Sequence, residues 1–438
     1  MNRHARVRSV LLLLTGIGSS AAAFGQAAPK PPAAEVAGIP VNYDESRVGT
    51  YTLPDPLRMA DGTPVRDAKT WDAKRRPEIL RLFEENQFGR SPGRPAGMSI
   101  DVFDRGTPAL NGAALRRQVT IYFSPDRNGP KLDLLIYLPA GATKPVPLLL
   151  NLSFSANSST VDDPGIRPGA VWGRDHKKVP AASGPNFGKL NVAPFLAHGI
   201  GVATVYYGDI DPDFAGGIPD GVRALYLKPG QTEPAPDEWG SIAAWAWGLS
   251  RAMDYLETDA GVDARRVAIE GVSRLGKTVL WAGARDPRFA LVIASCSGEG
   301  GAALSRRNYG ETIAHLTAPS RYPYQFAANY QKFAAHPDHL PVDAHLLVAL
   351  IAPRPLLLQT GDQDFWSDPK GEFLAEAAAA PVYRLFGKPD LGTDQWPAAG
   401  QPILHTMGYF MHAGGHGTIP SDWDQFLKFA EMHLQPGR

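Results

Sequence analysis

The chain has 438 residues, 44% of them hydrophobic, enough for a large buried core in one or more domains. Its 44 basic side chains balance 44 acidic ones, so no overall field draws it to nucleic acid or to an anionic membrane. The single cysteine, Cys296, excludes an intrachain disulfide.

In chain order, MNRHARVRSV is basic, VLLLLTGIG is a short apolar run and SSAAAFGQAA is a string of small residues. That order predicts a secretory signal peptide over 1–27, and hence a secreted or periplasmic protein. The apolar run is too short to span a bilayer. An N-terminal extension over 28–74 follows, beginning with a Pro/Ala-rich stretch. From 75 to 438 the pattern is that of one domain. RRPEILRLFEENQFG predicts a helix with Ile79, Leu80, Leu82 and Phe83 on one side. From about Leu115 strands dominate. LRRQVTIYF alternates as a half-buried strand does, whereas LDLLIYLPA, VPLLLNLSF and GIGVATVYYGDI are unbroken apolar runs, as in strands covered on both faces.

SIAAWAWGLSRAMDYLET predicts a helix with Ile242, Trp245, Ala246, Leu249, Met253 and Leu256 on one face. Strands at RVAIEG, FALVIASCSG, RPLLLQTGD and HTMGYFMH alternate with helices at LGKTVLWAGA, DPKGEFLAEAAA and SDWDQFLKFAEMHL. Pro369 opens the second of these helices, with Asp368 placed to cap it. Alternation over some 300 residues predicts an α/β fold around a mostly parallel sheet.

GVSRLGKT, between strand and helix, satisfies two patterns at once. It matches the phosphate-binding loop G-x-x-x-x-G-K-[ST]. It also places Ser273 on the sharp turn where a hydrolase holds its nucleophile, with Gly271 two residues before and Gly276 three after. The motif alone leaves both readings open. Its partners favour the hydrolase. Hydrolases of this fold present serine, acid and histidine in that order. Downstream, Asp364 follows an apolar strand in a G-x-x-D spacing, and His416 lies on the glycine-flanked loop GGHG before the last helix. Arg274, directly after the serine, could add positive charge where an oxyanion develops. His412 and His416 are four apart, but the intervening AGG resists a helix, so no metal site is expected.

Several segments resemble one known family: DEWGSIAAWAWGLSRAMDYLETD, GVSRLGKTVLWAGARDPRFALV, SGEGGAALSRRNYGETI, LPVDAHLLVALIAPRPLLL and DFWSDPKGEFLAEAAAAPVY are similar to the glucuronoyl esterases of carbohydrate esterase family 15. The resemblance runs from about Arg75 to the C-terminus and is densest after Asp237. It implies an α/β-hydrolase with a three-layer αβα sandwich, using neither metal nor organic cofactor. It implies a substrate in which the carboxyl of (4-O-methyl-)glucuronic acid on xylan is esterified to an alcohol of lignin. Acetyl-xylan or another carbohydrate ester is the alternative substrate. No nucleic acid, membrane or partner chain is called for, and a monomer is expected.

Residue by residue, Ser273 resembles the nucleophile, His416 the base and Arg274 the oxyanion-stabilising arginine. Lys277, Glu311 and Trp366 resemble the residues that hold the sugar. The acid is the position on which the resemblance divides. Where fungal members carry a glutamate, this chain has Cys296, so Asp364 is the expected acid, ahead of Glu299 and Asp362. YPYQF, with Gln325, replaces a segment that carries tryptophan in bacterial members.

Overall fold

Apolar runs become strands here because both faces of the sheet are covered. In β4 (Val146–Ser153), Leu148, Leu150 and Leu152 join one core cluster and Leu149 the other. In β7 (Phe289–Ser295), Val292 and Ala294 face one side, Leu291 and Ile293 the other. β8 (Leu356–Gly361) divides in the same way, Leu356 and Leu358 against Leu357. A strand buried on both faces has no polar side to display, which is why these sequences do not alternate.

The structure, a computed structural model, describes residues 33–182 and 189–435; the predicted signal peptide lies outside them. The other strands of the sheet are β1 (Ser99–Ala109), β2 (Ala114–Tyr122), β3 (Lys131–Pro139), β5 (Gly201–Tyr206), β6 (Val262–Val272), β9 (Ile403–Leu404) and β10 (Met407–His412). Among the described residues they form one ten-stranded sheet, ordered β9-β10-β8-β7-β6-β4-β5-β3-β2-β1. The five pairings from β10 to β5 are parallel and the four at the two edges antiparallel.

Helices cover both faces and complete a three-layer αβα sandwich. With α1 (Arg76–Phe83) and α2 (Ala193–Ala197) numbered first, the chain continues through α3 (Ser241–Leu256), α4 (Arg274–Arg285), α5 (Ala344–Ala349), α6 (Pro369–Leu385) and α7 (Pro420–Leu434). Trp245, Leu275, Leu346 and Phe373 bring α3 to α6 into one cluster, while Phe195, Phe426 and Phe429 bring α2 and α7 into the other. The Asp368 side chain accepts from Gly371 N–H at 2.9 Å and caps α6 ahead of Pro369.

Some expectations are revised. The single apolar face foreseen on α3 is instead burial on nearly every side, and Arg251 and Asp254 compensate each other at 2.8 Å. The predicted 75–89 helix is regular only over Arg76–Phe83 and continues in a wider turn to Phe88. That turn has a use: Phe88 stacks on Trp281 of α4 with centroids 4.5 Å apart, and Arg76 donates to Ala284 O at 2.6 Å. β1 was not foreseen. Asp101, Asp104, Gly106 and Pro108 do not read as strand, but β1 is an edge strand with two register shifts, where charges and proline are tolerated.

Ala34–Arg438 forms one compact unit, and the part of the 28–74 segment within it packs on the body of the molecule. Gly310 N–H donates to Asn42 O at 2.8 Å, and His345 Nε2 lies 2.7 Å from Pro54 O. No helix among the described residues is long and apolar enough to cross a membrane.

Candidate active site

Parallel strands end on the same side, so the loops after β6, β7, β8 and β10 converge there. Those loops carry Ser273, Cys296, Asp364 and His416 respectively. Ser273 has φ +61° and ψ −128°, a conformation rare for a residue with a side chain. Its N–H donates to Ser295 O at 2.8 Å and its carbonyl accepts from Lys277 N–H at 3.1 Å, so β6 turns into α4 within one residue. The first turn of α4 is pressed onto the sheet: a Cβ on Gly276 would lie 2.7 Å from Ser295 O. The glycine three residues after the serine is therefore a steric requirement of this elbow.

The candidate base and the candidate acid meet directly. His416 Nδ1 lies 2.7 Å from Asp364 Oδ2 and 3.3 Å from Ser367 Oγ. Asp364 is buried, 4% exposed, while the imidazole is open to the cleft. The two loops touch backbone to backbone, because a Cβ on Gly361 would lie 2.2 Å from Gly415 O. The other two acid candidates are engaged elsewhere. Asp362 accepts from Gly414 N–H at 2.8 Å and braces the histidine loop. Glu299 accepts from Ser305 Oγ at 2.6 Å and Tyr330 OH at 2.8 Å, and burial pushes its carboxyl up to about 8.

Cys296 Sγ, an Asp364 oxygen and a His416 ring nitrogen lie within 4.8 Å of one another, a set of atoms with metal-ligand chemistry. The Asp364–His416 contact has hydrogen-bond length, however, and the thiol faces Gly417 N–H at 3.4 Å and Gly417 O at 3.5 Å. Burial raises the thiol pKa well above its usual value, which disfavours the thiolate a metal would need.

Ser273, Arg274, Lys277, Glu311, Asp364, Trp366 and His416 all line one cleft of about 320 Å³. Lys277, 5% exposed, donates to Ser297 O at 2.7 Å and lies 3.8 Å from Glu311 Oε2. Burial lowers its pKa, and Glu311 opposes that. Glu311 Oε1 also accepts from Arg321 at 3.0 Å, whereas Arg306 pairs with Asp343 and Arg307 with Asp368 and Glu45. Trp366 is tied to the same loop by Glu311 N–H, which donates to Trp366 O at 2.8 Å, and its ring meets His315 edge-on with centroids 5.2 Å apart. Arg274 pairs with Asp213 and lies over the Tyr322 ring, 4.7 Å from its centroid. Burial alone would lower the Arg274 pKa, but Asp213 holds it above the ordinary value.

This geometry does not suit a phosphate loop. Lys277 is already matched to a carboxylate, and the Ser273 N–H is spent on Ser295 O. Asp213, Arg321 and Ser367 were not singled out in the sequence. Asp213, in the loop after β5, had the one available signal: it follows a strand's C-terminal end.

A family model described as "Glucuronyl esterase, fungi" matches residues 234–387. Carbohydrate esterase MZ0003, from an unknown prokaryotic organism, is 45% identical over 90% of this chain and 93% of its own length. The solved glucuronoyl esterase from Solibacter usitatus is 48% identical, covers 90% of this chain and all of its own, and superposes with a TM-score of 0.85. A structure described as a promiscuous CE15 esterase from the marine bacterial metagenome is 44% identical over the same shares, with a TM-score of 0.81. Likeness of this extent, at both the sequence and the fold level, makes the chain a member of carbohydrate esterase family 15, the glucuronoyl esterases.

Proposed function

We propose that the chain is an exported serine esterase hydrolysing esters of glucuronic acid, with or without the 4-O-methyl group, as in cross-links between xylan uronates and lignin alcohols. Ser273 Oγ attacks the ester carbon as His416 Nε2 takes its proton. Asp364 holds Nδ1–H and stabilises the imidazolium. Arg274, with the backbone N–H beside the nucleophile, takes the charge developing on the carbonyl oxygen. His416 then protonates the departing alcohol, and water releases the acid from Ser273 by the same steps in reverse. Lys277, Glu311 and Trp366 hold the sugar.

One observation carries this reading: each cation of the cleft already has a carboxylate partner. Lys277 and Arg321 share Glu311, and Arg274 has Asp213. Such a cleft offers donors and acceptors to hydroxyl groups and a flat ring to a sugar face, but no unpaired cation for a free carboxylate. It suits an uncharged uronate ester. The N-terminal pattern of residues 1–27 supports export, towards polymers that lie outside the cell. Hydrolysis of benzyl glucuronate compared with a small aryl acetate tests the reading. A clear preference in kcat/KM for the glucuronate is expected, and preference for the acetate would favour a general carbohydrate esterase, a breadth that one relative's description as promiscuous makes worth testing.

A further inference from the structure

The segment that precedes α1 has no part in the chemistry above, yet a stretch of it is built against the cleft. We propose that Asn42 is a positioning residue: it clamps the loop that carries Glu311, and through Glu311 it governs recognition of the acyl group. The inference rests on the sugar-holding role proposed for Glu311 and extends it.

Glu311 sits between β7 and a short helical turn at Ile313–Thr317, on a stretch with neither helix nor strand. Such a stretch keeps its path only through bonds to its neighbours. Residues 39–45 supply several. Asn42 Nδ2 donates to Asn308 O at 2.6 Å, and Asn42 O accepts from Gly310 N–H at 2.8 Å. The amide cannot turn freely, because its Oδ1 accepts from Asp44 N–H at 3.0 Å. Asn42 is also buried, 8% exposed, so water does not readily replace it. On either side the segment is pinned again. Ile39 O accepts from His315 Nε2–H at 3.3 Å, a tautomer set by Nδ1, which accepts from Thr312 N–H at 3.1 Å. Glu45 pairs with Arg307 and, at 3.1 Å, with Lys370. The anchors at 307, 308, 310 and 315 therefore bracket Glu311.

The other side of the loop is closed. Glu311 N–H donates to Trp366 O at 2.8 Å, and a Cβ on Gly310 would lie 2.5 Å from both Phe365 O and Trp366 O. The loop is held between that backbone and Asn42, so the one direction open to it is the one Asn42 blocks. Glu311 needs this placement. Its Oε1 lies 3.0 Å from Arg321 and its Oε2 3.8 Å from Lys277, and a shift of the loop disturbs both contacts at once.

A double-mutant cycle tests the clamp. The quantity read is the ratio of kcat/KM on benzyl glucuronate to that on a small aryl acetate. Asn42→Ala removes the amide and should lower the ratio about fivefold, the worth of one hydrogen bond, through KM on the glucuronate and with the acetate rate unchanged. In a Glu311→Ala background the same substitution should lower it no further, because a residue that acts through Glu311 has nothing left to position. Equal losses on both substrates, or a full loss in the Glu311→Ala background, overturn the proposal. Should Asn42→Ala fail to fold, Glu45→Gln takes its place in the cycle with the same outcomes, since the Glu45 side chain is 47% exposed. If the wild type shows no preference for the glucuronate, the function reading fails separately, and hydrogen exchange then decides on the clamp. The Glu311 N–H should exchange about tenfold or more faster in Asn42→Ala than in the wild type, and equal rates overturn the clamp.

Discussion

Asp213 holds the guanidinium of Arg274, and three further side chains hold Asp213: Tyr207 at 3.1 Å, Tyr324 at 3.1 Å and Gln325 at 2.6 Å. Gln325 is the residue that stands in place of a tryptophan in the family resemblance. A long arginine side chain beside a nucleophile is useful only if its charge is fixed where the oxyanion forms. Asp213→Asn keeps the shape but removes the charge that orients Arg274. We expect kcat to fall about ten- to a hundredfold with KM little changed, the split that marks loss of transition-state stabilisation. Steady-state kinetics on a glucuronate ester checks this, and a rise in KM alone would assign Asp213 to substrate binding.

The 2.7 Å contact between Asp364 and His416 Nδ1 sets the tautomer in which Nε2 is free to accept a proton. Asp364→Asn should preserve the melting temperature within a few degrees while lowering kcat by about 10⁴. Ser273→Ala should lose at least about a hundredfold. If Glu299→Gln instead caused the larger catalytic loss, the acid would have been misassigned.

Lys277, Glu311 and Trp366 are expected to act on the sugar and not on the bond that breaks. Alanine at each should reduce kcat/KM on a uronate ester about tenfold or more relative to an aryl acetate, because a site built for hydroxyl groups loses its discrimination when one partner goes. Glu311→Ala carries an added stability cost of about 3 kcal/mol, since Lys277 and Arg321 lose their shared carboxylate. Equal losses on both substrates would remove these residues from the sugar cleft.

Glu270 lies fully buried in β6, three residues before Ser273, and burial, partly opposed by the Asn151 hydrogen bond, pushes its carboxyl up to about 8. Raising a carboxyl in the native state means that the folded protein keeps a proton that the unfolded chain gives up near pH 4.5. The neutral form is therefore fully accommodated below that pH, and stability drains away as pH rises toward 8. Glu270→Gln removes this contribution. Its melting temperature should decline less between pH 5 and 8 than that of the wild type; parallel curves would show that Glu270 is not the group responsible. Glu299 and Glu372, also held near 8, keep a residual slope in the variant.

The candidate site was legible where it followed directly on a strand. Ser273, Asp364 and His416 each come after an apolar run at a glycine-marked turn, and a parallel sheet gathers such positions without further information. Asp213 and Arg321 were not legible. Asp213 reaches Arg274 from the loop after β5 and Arg321 reaches the cleft from the segment before Tyr322, and both paths are fixed by packing against parts of the chain far away in sequence. Glu311 shows the same limit from the other side. Its nearest arginines in sequence, Arg306 and Arg307, are taken by Asp343 and Asp368, and its partner Arg321 lies ten residues on. β1 escaped notice for a different reason: an edge strand obeys looser rules than the buried strands by which the others were found.

The contact of Gly361 with Gly415 bears on how this centre could be rebuilt. Asp364 and His416 sit on separate loops, yet the backbones beneath them are close enough to exclude a methyl group. The spacing of the pair is thus inherited from two main chains and not from the two side chains. Grafting the aspartate and histidine onto another scaffold would fail unless the bare glycine travelled with them. The Gly361–Gly415 seam is therefore the part of the two loops on which the spacing of the pair depends.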